Sequence, residues 1–314
     1  MGVTIFIDGG AGTTGLEIRQ RLEQRNDVTL LALDDADRRD AAKRKEALHA
    51  ADIAILCLPD DAAREAVAMV ADGTTRIIDA STAHRVHNDW AYGFSELSAA
   101  QAEAIASARF VSNPGCYPTG FLALVAPLVS AGLVPADYPF TVNAVSGYSG
   151  GGKALIARIE DDEPDIAYRG YGLDLSHKHL PEMKVHAGLA QDPIFAPAVI
   201  PAYRGMVVEV PLHIGGALGV AEPEALHEQL VAHYAETPLV SVAPLGESET
   251  PGELLLRSGV PGYDGLKLHV FARADGTQVR LMAVLDNLGK GAGGAAVQNL
   301  NIMAGIDPLS GLRV

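Results

Sequence analysis

Cysteine is scarce. The 314 residues carry only two, Cys57 and Cys116, in very different local settings. Such a pair argues against a disulfide framework and for a reducing compartment. A cysteine-rich zinc site is excluded too, and no HExxH or other close-set ligand cluster replaces it, so no metal is expected. Basic charge is also short. Twenty-four Lys and Arg stand against thirty-nine Asp and Glu, a formal net charge of -15. The basic face that nucleic acid or an anionic membrane needs is missing. An anionic small substrate stays open, because a few arginines and a helix N-terminus bind phosphate inside an acidic protein. There is no apolar run of membrane-spanning length, no internal repeat and no low-complexity linker. The start, Met1-Gly2-Val3-Thr4-Ile5-Phe6, enters a strand pattern with no basic leader, signal-length apolar stretch or cleavage site. The cytoplasm is therefore the expected compartment.

What is present suits two folded domains. Apolar residues make up 48% and charged residues 20%, normal for a globular chain of this length. The first third alternates apolar runs with helical spacing. Strands are predicted over Val3 to Ile7, Val28 to Leu33, Asp52 to Leu58 (stopped by Pro59) and Arg76 to Asp79. Helices are predicted over Leu16 to Gln24, within Asp34 to His49, and over Asp60 to Ala71 with Asp60 or Asp61 as N-cap. That alternation means an α/β domain, a Rossmann-type parallel sheet with helices on both faces. After about residue 115 the texture changes. An apolar helix, Phe121 to Ala131, ends at Gly132. Strand-like segments follow at Phe140 to Ser146, Met206 to His213, Lys267 to Ala272 and Gln278 to Asp286, which predicts an α+β domain with a mixed or antiparallel sheet. A last helix, Gly293 to Ile306, is expected to return to the first domain. The division expected is 1–115 completed by 290–314, and 116–289.

Between the first strand and first helix lies Gly10-Ala11-Gly12-Thr13-Thr14-Gly15, a G-x-G-x-x-G run. Its first glycine suits a tight turn, its second the approach of a pyrophosphate, its third close helix–strand packing. The helix N-terminus and the Thr13 and Thr14 hydroxyls supply donors. The spacing leaves the dinucleotide open. Asp34 and Asp35 sit where a ribose 2′-hydroxyl would be held, and Arg38 and Arg39 sit where a 2′-phosphate would be neutralised.

Ser112-Asn113-Pro114-Gly115-Cys116-Tyr117-Pro118-Thr119-Gly120 frames one cysteine with two prolines and two glycines. A cysteine at a helix N-terminus is stabilised as thiolate, the nucleophile of acyl transfer, and nearby amides can hold an oxyanion. Cys57, inside Ile53-Ala54-Ile55-Leu56-Cys57-Leu58, is core, or at most a wall near the cofactor. His177-Lys178-His179-Leu180-Pro181-Glu182 offers two imidazoles to move protons and an acid to orient one of them. Spacing does not choose between His177 and His179, with a slight lean to His177.

These segments carry a specific resemblance. Asn113 to Thr119 looks like the active-site motif of N-acetyl-gamma-glutamyl-phosphate reductases, and His177-x-His179-x-Pro181-Glu182 resembles that family's second motif. Ser146-Gly147-Tyr148-Ser149-Gly150 and Asp286-Asn287-Leu288-Gly289-Lys290-Gly291-Ala292 also look like family segments. The Gly-Thr-Thr-Gly turn and Asp79-Ala80-Ser81-Thr82-Ala83-His84-Arg85 resemble the shorter, type 2 branch. The resemblance implies NADPH-dependent reduction of N-acetyl-L-glutamyl 5-phosphate to the 5-semialdehyde through a thioester on Cys116, in arginine biosynthesis. It implies NADP(H) as cofactor, beside which the acidic pair is a departure. Ser81 and Asn287 are expected at the cofactor, Asn287 at the nicotinamide amide. Arg85, Ser149 and Lys153 are expected at the substrate, with Lys290 a further phosphate candidate. The rival readings are aspartate-semialdehyde dehydrogenase, another phosphorylating aldehyde dehydrogenase, or an NADP-sensing regulator. The partner expected is a small acyl phosphate, and the protein is expected to form a homo-oligomer, a dimer or tetramer.

Overall fold

The computed structural model describes residues 2–34, 36–257 and 262–314. The chain divides into two compact units, one of Met1–Gly115 with Ala292–Arg313 and the other of Cys116–Gly291.

In the first unit, β1 (Val3–Asp8), β2 (Val28–Leu31), β3 (Ile53–Leu56), β4 (Arg76–Asp79), β5 (Ala91–Tyr92) and β6 (Phe110–Ser112) form one sheet in the order β2-β1-β3-β4-β6-β5. Every pairing in it is parallel. Alternation along the strands builds two cores. Ile5, Ile53, Ile55 and Ile78 point to one face, against α1 (Thr13–Leu22), Ile105 of α4 (Ala99–Ser107) and the C-terminal helix Gly294–Ala304. Phe6, Ala54, Leu56 and Ile77 point to the other, against α2 (Ala41–Ala50) and α3 (Asp60–Met69). The N-cap of α3 is Pro59, not Asp60 or Asp61, which lie in its first turn. Asp60 is used elsewhere: its carboxylate accepts the Thr82 N–H at 3.0 Å and so ties α3 to the loop after β4.

In the second unit the sheet is mixed. It contains β7 (Thr141–Gly147), β8 (Arg169–Gly170), β9 (Ile194–Ile200), β10 (Met206–His213), β11 (Val240–Val242), β12 (Leu266–Ala272) and β13 (Gln278–Leu285). The order is β11-β12-β13-β10-β7-β9-β8. The β7–β9 and β11–β12 pairs are parallel and the others antiparallel. Its helices are α5 (Cys116–Ser130), α6 (Gly152–Ala157), α7 (Leu180–Ala187) and α8 (Pro223–Tyr234).

The apolar helix begins at Cys116, five residues before the sequence pattern predicts. Pro118 is no obstacle there, because the first helical turn has no use for its missing N–H. Pro127 lies deeper in α5 and leaves the Ala123 carbonyl without its helical donor. The Tyr234 hydroxyl of α8 replaces it, donating to Ala123 O at 2.9 Å. Tyr234→Phe should therefore cost about 2 kcal/mol, the penalty for a buried acceptor left unmet. Chemical denaturation measures it. A loss near zero would mean that another donor reaches that carbonyl.

Candidate active site

The glycine turn of the first unit is shaped by contacts that no Cβ would survive. Gly9 has φ +81°, and a Cβ there would lie 2.3 Å from Cys57 O. The conformation that demands glycine therefore falls on Gly9 and not on Gly10, whose φ is negative or extended. A Cβ on Gly15 would lie 2.7 Å from Gly10 Cα, which is the close approach of α1 to the turn after β1. Gly12 caps α1 in extended conformation without a side-chain cap bond. Its own Cβ position meets only Gly9 O, at 3.4 Å. Thr13 and Thr14 fall inside the first helical turn, so they present N–H groups as well as hydroxyls.

Beside the turn opens a cavity of about 300 Å³. Asp8–Ala11, Leu30–Leu33 and the four arginines Arg19, Arg38, Arg39 and Arg44 line it. Arg44 is committed: its guanidinium grips Asp8 at 2.8 and 3.1 Å and neutralises a carboxylate at the end of β1. Arg19 and Arg44 are lining arginines that sequence reasoning missed, Arg19 lying on α1 before β2 and Arg44 on α2 beyond the Arg38-Arg39 pair. Asp34 is exposed, its carbonyl taken by the N–H groups of Asp37 and Arg38. Asp35 lies outside the described residues. Cys57 packs against the core, and burial, with Asp79 and Asp8 nearby, pushes its thiol up to about 12. It packs as core and is not among the residues that line the cavity.

The loop after β4 is tied inward. Asp79, fully buried, accepts from Ser81 Oγ at 2.7 Å and Ser81 N–H at 2.9 Å, and lies 2.6 Å from His84 Nδ1. Arg85, expected to meet the substrate phosphate, is buried and spends Nε on Asn113 O (2.9 Å) and Nη2 on Ala80 O (3.1 Å). It clamps the segment that leads to the cysteine. The Asn113 side chain donates to Ala292 O at 3.1 Å and accepts from Asn299 at 3.1 Å.

In the second unit Cys116 is the first residue of α5 and is partly exposed. Next to it, buried Tyr117 is the hub of an aromatic cluster. The His177 ring lies 6.2 Å from it, His179 6.0 Å and Phe195 5.1 Å, and the two imidazoles are 4.7 Å apart. Tyr117 Oη donates to Ala198 O at 3.2 Å and receives a bond from Tyr171 Oη at 3.2 Å. Burial drives the Tyr117 phenol upward and takes that of Tyr171 up to about 12, the nearby Cys116 adding to both. Both phenols are neutral donors. Burial also depresses His177 to about 4, helped by Lys178 and opposed by Asp174. Its Nδ1 accepts the His179 N–H at 3.1 Å. His179 is the N-cap of α7, and Glu182 is buried in that helix's first turn. Tyr171 and Phe195 left no signal in sequence, being brought in by separate segments.

Of the expected substrate residues, Ser149 is buried and accepts from Asn287 Nδ2 at 2.9 Å. Asn287 Oδ1 takes the Gly205 N–H at 2.8 Å, so its amide joins two loops of the same unit. Lys153 is exposed in the first turn of α6, and Lys290 is fully buried. Among the described residues no three His, Cys, Asp or Glu side chains gather as a metal would need. Among them, too, no helix is long and apolar enough to cross a membrane.

The semialdehyde dehydrogenase NAD binding domain matches residues 34–105, and the semialdehyde dehydrogenase dimerisation domain matches residues 116–287. The fold is similar to that of a probable aspartate-semialdehyde dehydrogenase from Pseudomonas aeruginosa. The TM-score is 0.73 at 16% identity, covering 97% of this chain and 99% of that one. A glycine turn followed by a helix-borne cysteine thus sits in the semialdehyde dehydrogenase class. The sequence is 54% identical over 308 residues to the N-acetyl-gamma-glutamyl-phosphate reductase of Rhizobium etli, covering 96% of this chain and 99% of that one. It is 54% identical over 306 residues to that of Brucella ovis, covering 96% and 98%. Within the class, the chain belongs to the N-acetyl-gamma-glutamyl-phosphate reductase family.

Proposed function

We propose that this protein reduces N-acetyl-L-glutamyl 5-phosphate with NADPH to N-acetyl-L-glutamate 5-semialdehyde and phosphate, a step of arginine biosynthesis in the cytoplasm. One observation carries the reading: Cys116 opens a buried helix beside a tyrosine ringed by two histidines. The first unit holds the dinucleotide, and the second holds the substrate and joins copies of the chain into a dimer or tetramer.

The first unit fits NADP(H). Gly12 puts bare backbone at the N-terminus of α1, where N–H groups meet a pyrophosphate. Arg38, Arg39 and Arg19 give the cavity the positive charge that a 2′-phosphate needs, and Arg44 cancels Asp8. Bound there, the reduced nicotinamide supplies a hydride. Replacing Arg38 and Arg39 together with alanine should raise the Kd of NADPH about 10- to 100-fold, the worth of charged hydrogen bonds, and change NADH binding little. Nucleotide fluorescence titration reads it, and equal losses for both nucleotides would remove the 2′-phosphate assignment.

Cys116 Sγ attacks the acyl carbon. The bond to the phosphate oxygen breaks, the thiol proton leaves with phosphate, and a thioester remains. The first-turn N–H groups of α5 favour the sulfur anion that attacks. His177 then works as a neutral hydrogen-bond donor. Its Nδ1 is occupied as an acceptor, so the neutral ring carries its proton on Nε2. That N–H hydrogen-bonds the carbonyl oxygen as charge gathers on it during reduction of the thioester, and the oxygen takes its proton from water. The hydroxyl proton leaves with sulfur as the carbon–sulfur bond breaks, freeing the aldehyde and the Cys116 thiol. His179 holds His177 through its backbone N–H, and Glu182 favours the N-terminus of α7.

The test is the reaction in reverse. N-acetylglutamate semialdehyde, phosphate and NADP+ should generate the absorbance of reduced nicotinamide, and a thiol alkylator should abolish it. Faster turnover of aspartate semialdehyde would move the substrate assignment. No turnover of either aldehyde would remove the enzyme reading.

A further inference from the structure

Cys116 is confined on two sides within its own unit. On one, α5 already lies as close to the sheet as it can. A Cβ on Gly120, one turn on, would fall 2.7 Å from Val208 Cγ2 of β10. On the other stands Gly291. A Cβ built there would lie 2.9 Å from Cys116 Cβ, 3.3 Å from Cys116 Cα and 3.1 Å from Asp286 O. Gly291 is not among the positive-φ glycines. Its backbone therefore suits any L-residue, and only space requires glycine.

The turn that carries Gly291 cannot retreat. The Asp286 carbonyl accepts the N–H groups of Gly289 at 3.1 Å and Gly291 at 3.0 Å. The Asp286 carboxylate accepts Leu288 N–H at 2.9 Å and Gly262 N–H at 3.2 Å, and lies 2.7 Å from Arg204 Nε. Asn287 ties the same turn to Gly205 and Ser149. Behind it, a Cβ on Gly289 would fall 2.2 Å from Tyr263 O. A side chain at 291 would therefore push on the cysteine, because the turn has nowhere to go.

We propose that Gly291 is a positioning residue for the nucleophile: the Asp286–Gly291 turn sets bare backbone against Cys116 and fixes the line along which its sulfur meets the acyl carbon. The inference rests on Cys116 being that nucleophile. It also gives the Asp286-Asn287-Leu288-Gly289-Lys290-Gly291 segment a task on the cysteine itself.

Gly291→Ala tests it, in the full-length protein. A displacement of about 1 Å at a reacting atom lowers rates about 100-fold, so kcat should fall on that order. KM for the aldehyde in the reverse reaction and the Kd of NADPH should change little, since neither ligand is asked to touch Gly291. Thermal stability in a double-variant cycle reads the contact without activity. Gly291→Ala should lower Tm more beside Cys116 than in a Cys116→Gly background, where the nearest opposing atom is gone and only Asp286 O and the residue 116 Cα remain. If the single variant does not fold, the double variant should recover folding. A kcat within about threefold of the parent, far short of the displacement effect, overturns the proposal. So does an equal Tm loss in both backgrounds, or a double variant that stays unfolded. An active Cys116→Ser protein would instead remove the nucleophile reading, and the stability cycle would still report whether the contact exists.

Discussion

Cys116→Ser should lower kcat by about 1000-fold or more while NADPH still binds. The argument is one of magnitudes. A helix N-terminus stabilises an anion by up to about 2 kcal/mol in a favourable, partly buried site. That suffices for a thiol, whose ordinary ionisation lies only about 1.5 pH units above neutrality. It cannot ionise an alkyl hydroxyl. Tyr117 and Tyr171 are held as neutral phenols, and His177, half-buried among rings, is a weak base. Serine would thus sit in the same place, partly exposed on the first turn of α5, as a neutral hydroxyl that the helix N-terminus does not ionise. Nucleotide titration keeps the test honest, because the glycine turn belongs to the other unit and is untouched. A serine protein with a tenth of the parent's activity would sink the thioester route.

The parallel sheet was legible because its strands are short apolar runs separated by helical spacing, and burial on both faces leaves no other arrangement for them. Ile53-Ala54-Ile55-Leu56 is the clearest case, every residue buried. Where sequence reasoning failed, a local rule was overridden. Pro118 and Gly120 look like breakers and hid the start of α5, yet both are buried and helical. Gly10 opens the G-x-G-x-x-G pattern, but the positive φ belongs to Gly9, which a spacing rule does not see. Pro197 disguised β9, since proline cannot donate within a ladder. It is tolerated because β8 pairs only with Ala198 and Val199, and Pro197 there needs only to accept, from the Tyr171 N–H at 3.2 Å. Arg85 was legible as a cation in the right loop. Which acceptors it meets was not, because Asn113 O arrives from a different strand. The cysteine and the two histidines were legible as chemistry; the aromatic frame around them depends on long-range packing.

His177→Gln should lower kcat about 100-fold, the worth of one positioned donor to a developing oxyanion. Glutamine is shorter and not held as a ring, so it does not keep a donor fixed at the place of Nε2. The shape of the pH profile between 6 and 8 should not change with this variant, because a ring depressed to about 4 does not titrate there. An inflection near 6.5 that vanishes in His177→Gln would show that the ring works as a base that ionises in that range. Stability supplies an independent reading of the same group. In the unfolded chain this histidine takes its proton near 6.5, and in the fold only near 4. Between those values the unfolded state binds more protons, so stability rises with pH across the window and is lost on acidification. His269, also lowered by burial, acts in the same direction. The Asp286 carboxyl, raised by burial, acts in the opposite one, since its folded state keeps a proton longer. Removing the imidazole should flatten the slope between pH 4 and 6.5 without abolishing it, as His269 remains. An unchanged slope would mean that the His177 ring is solvated in the fold, and its assignment as a neutral donor would go with it.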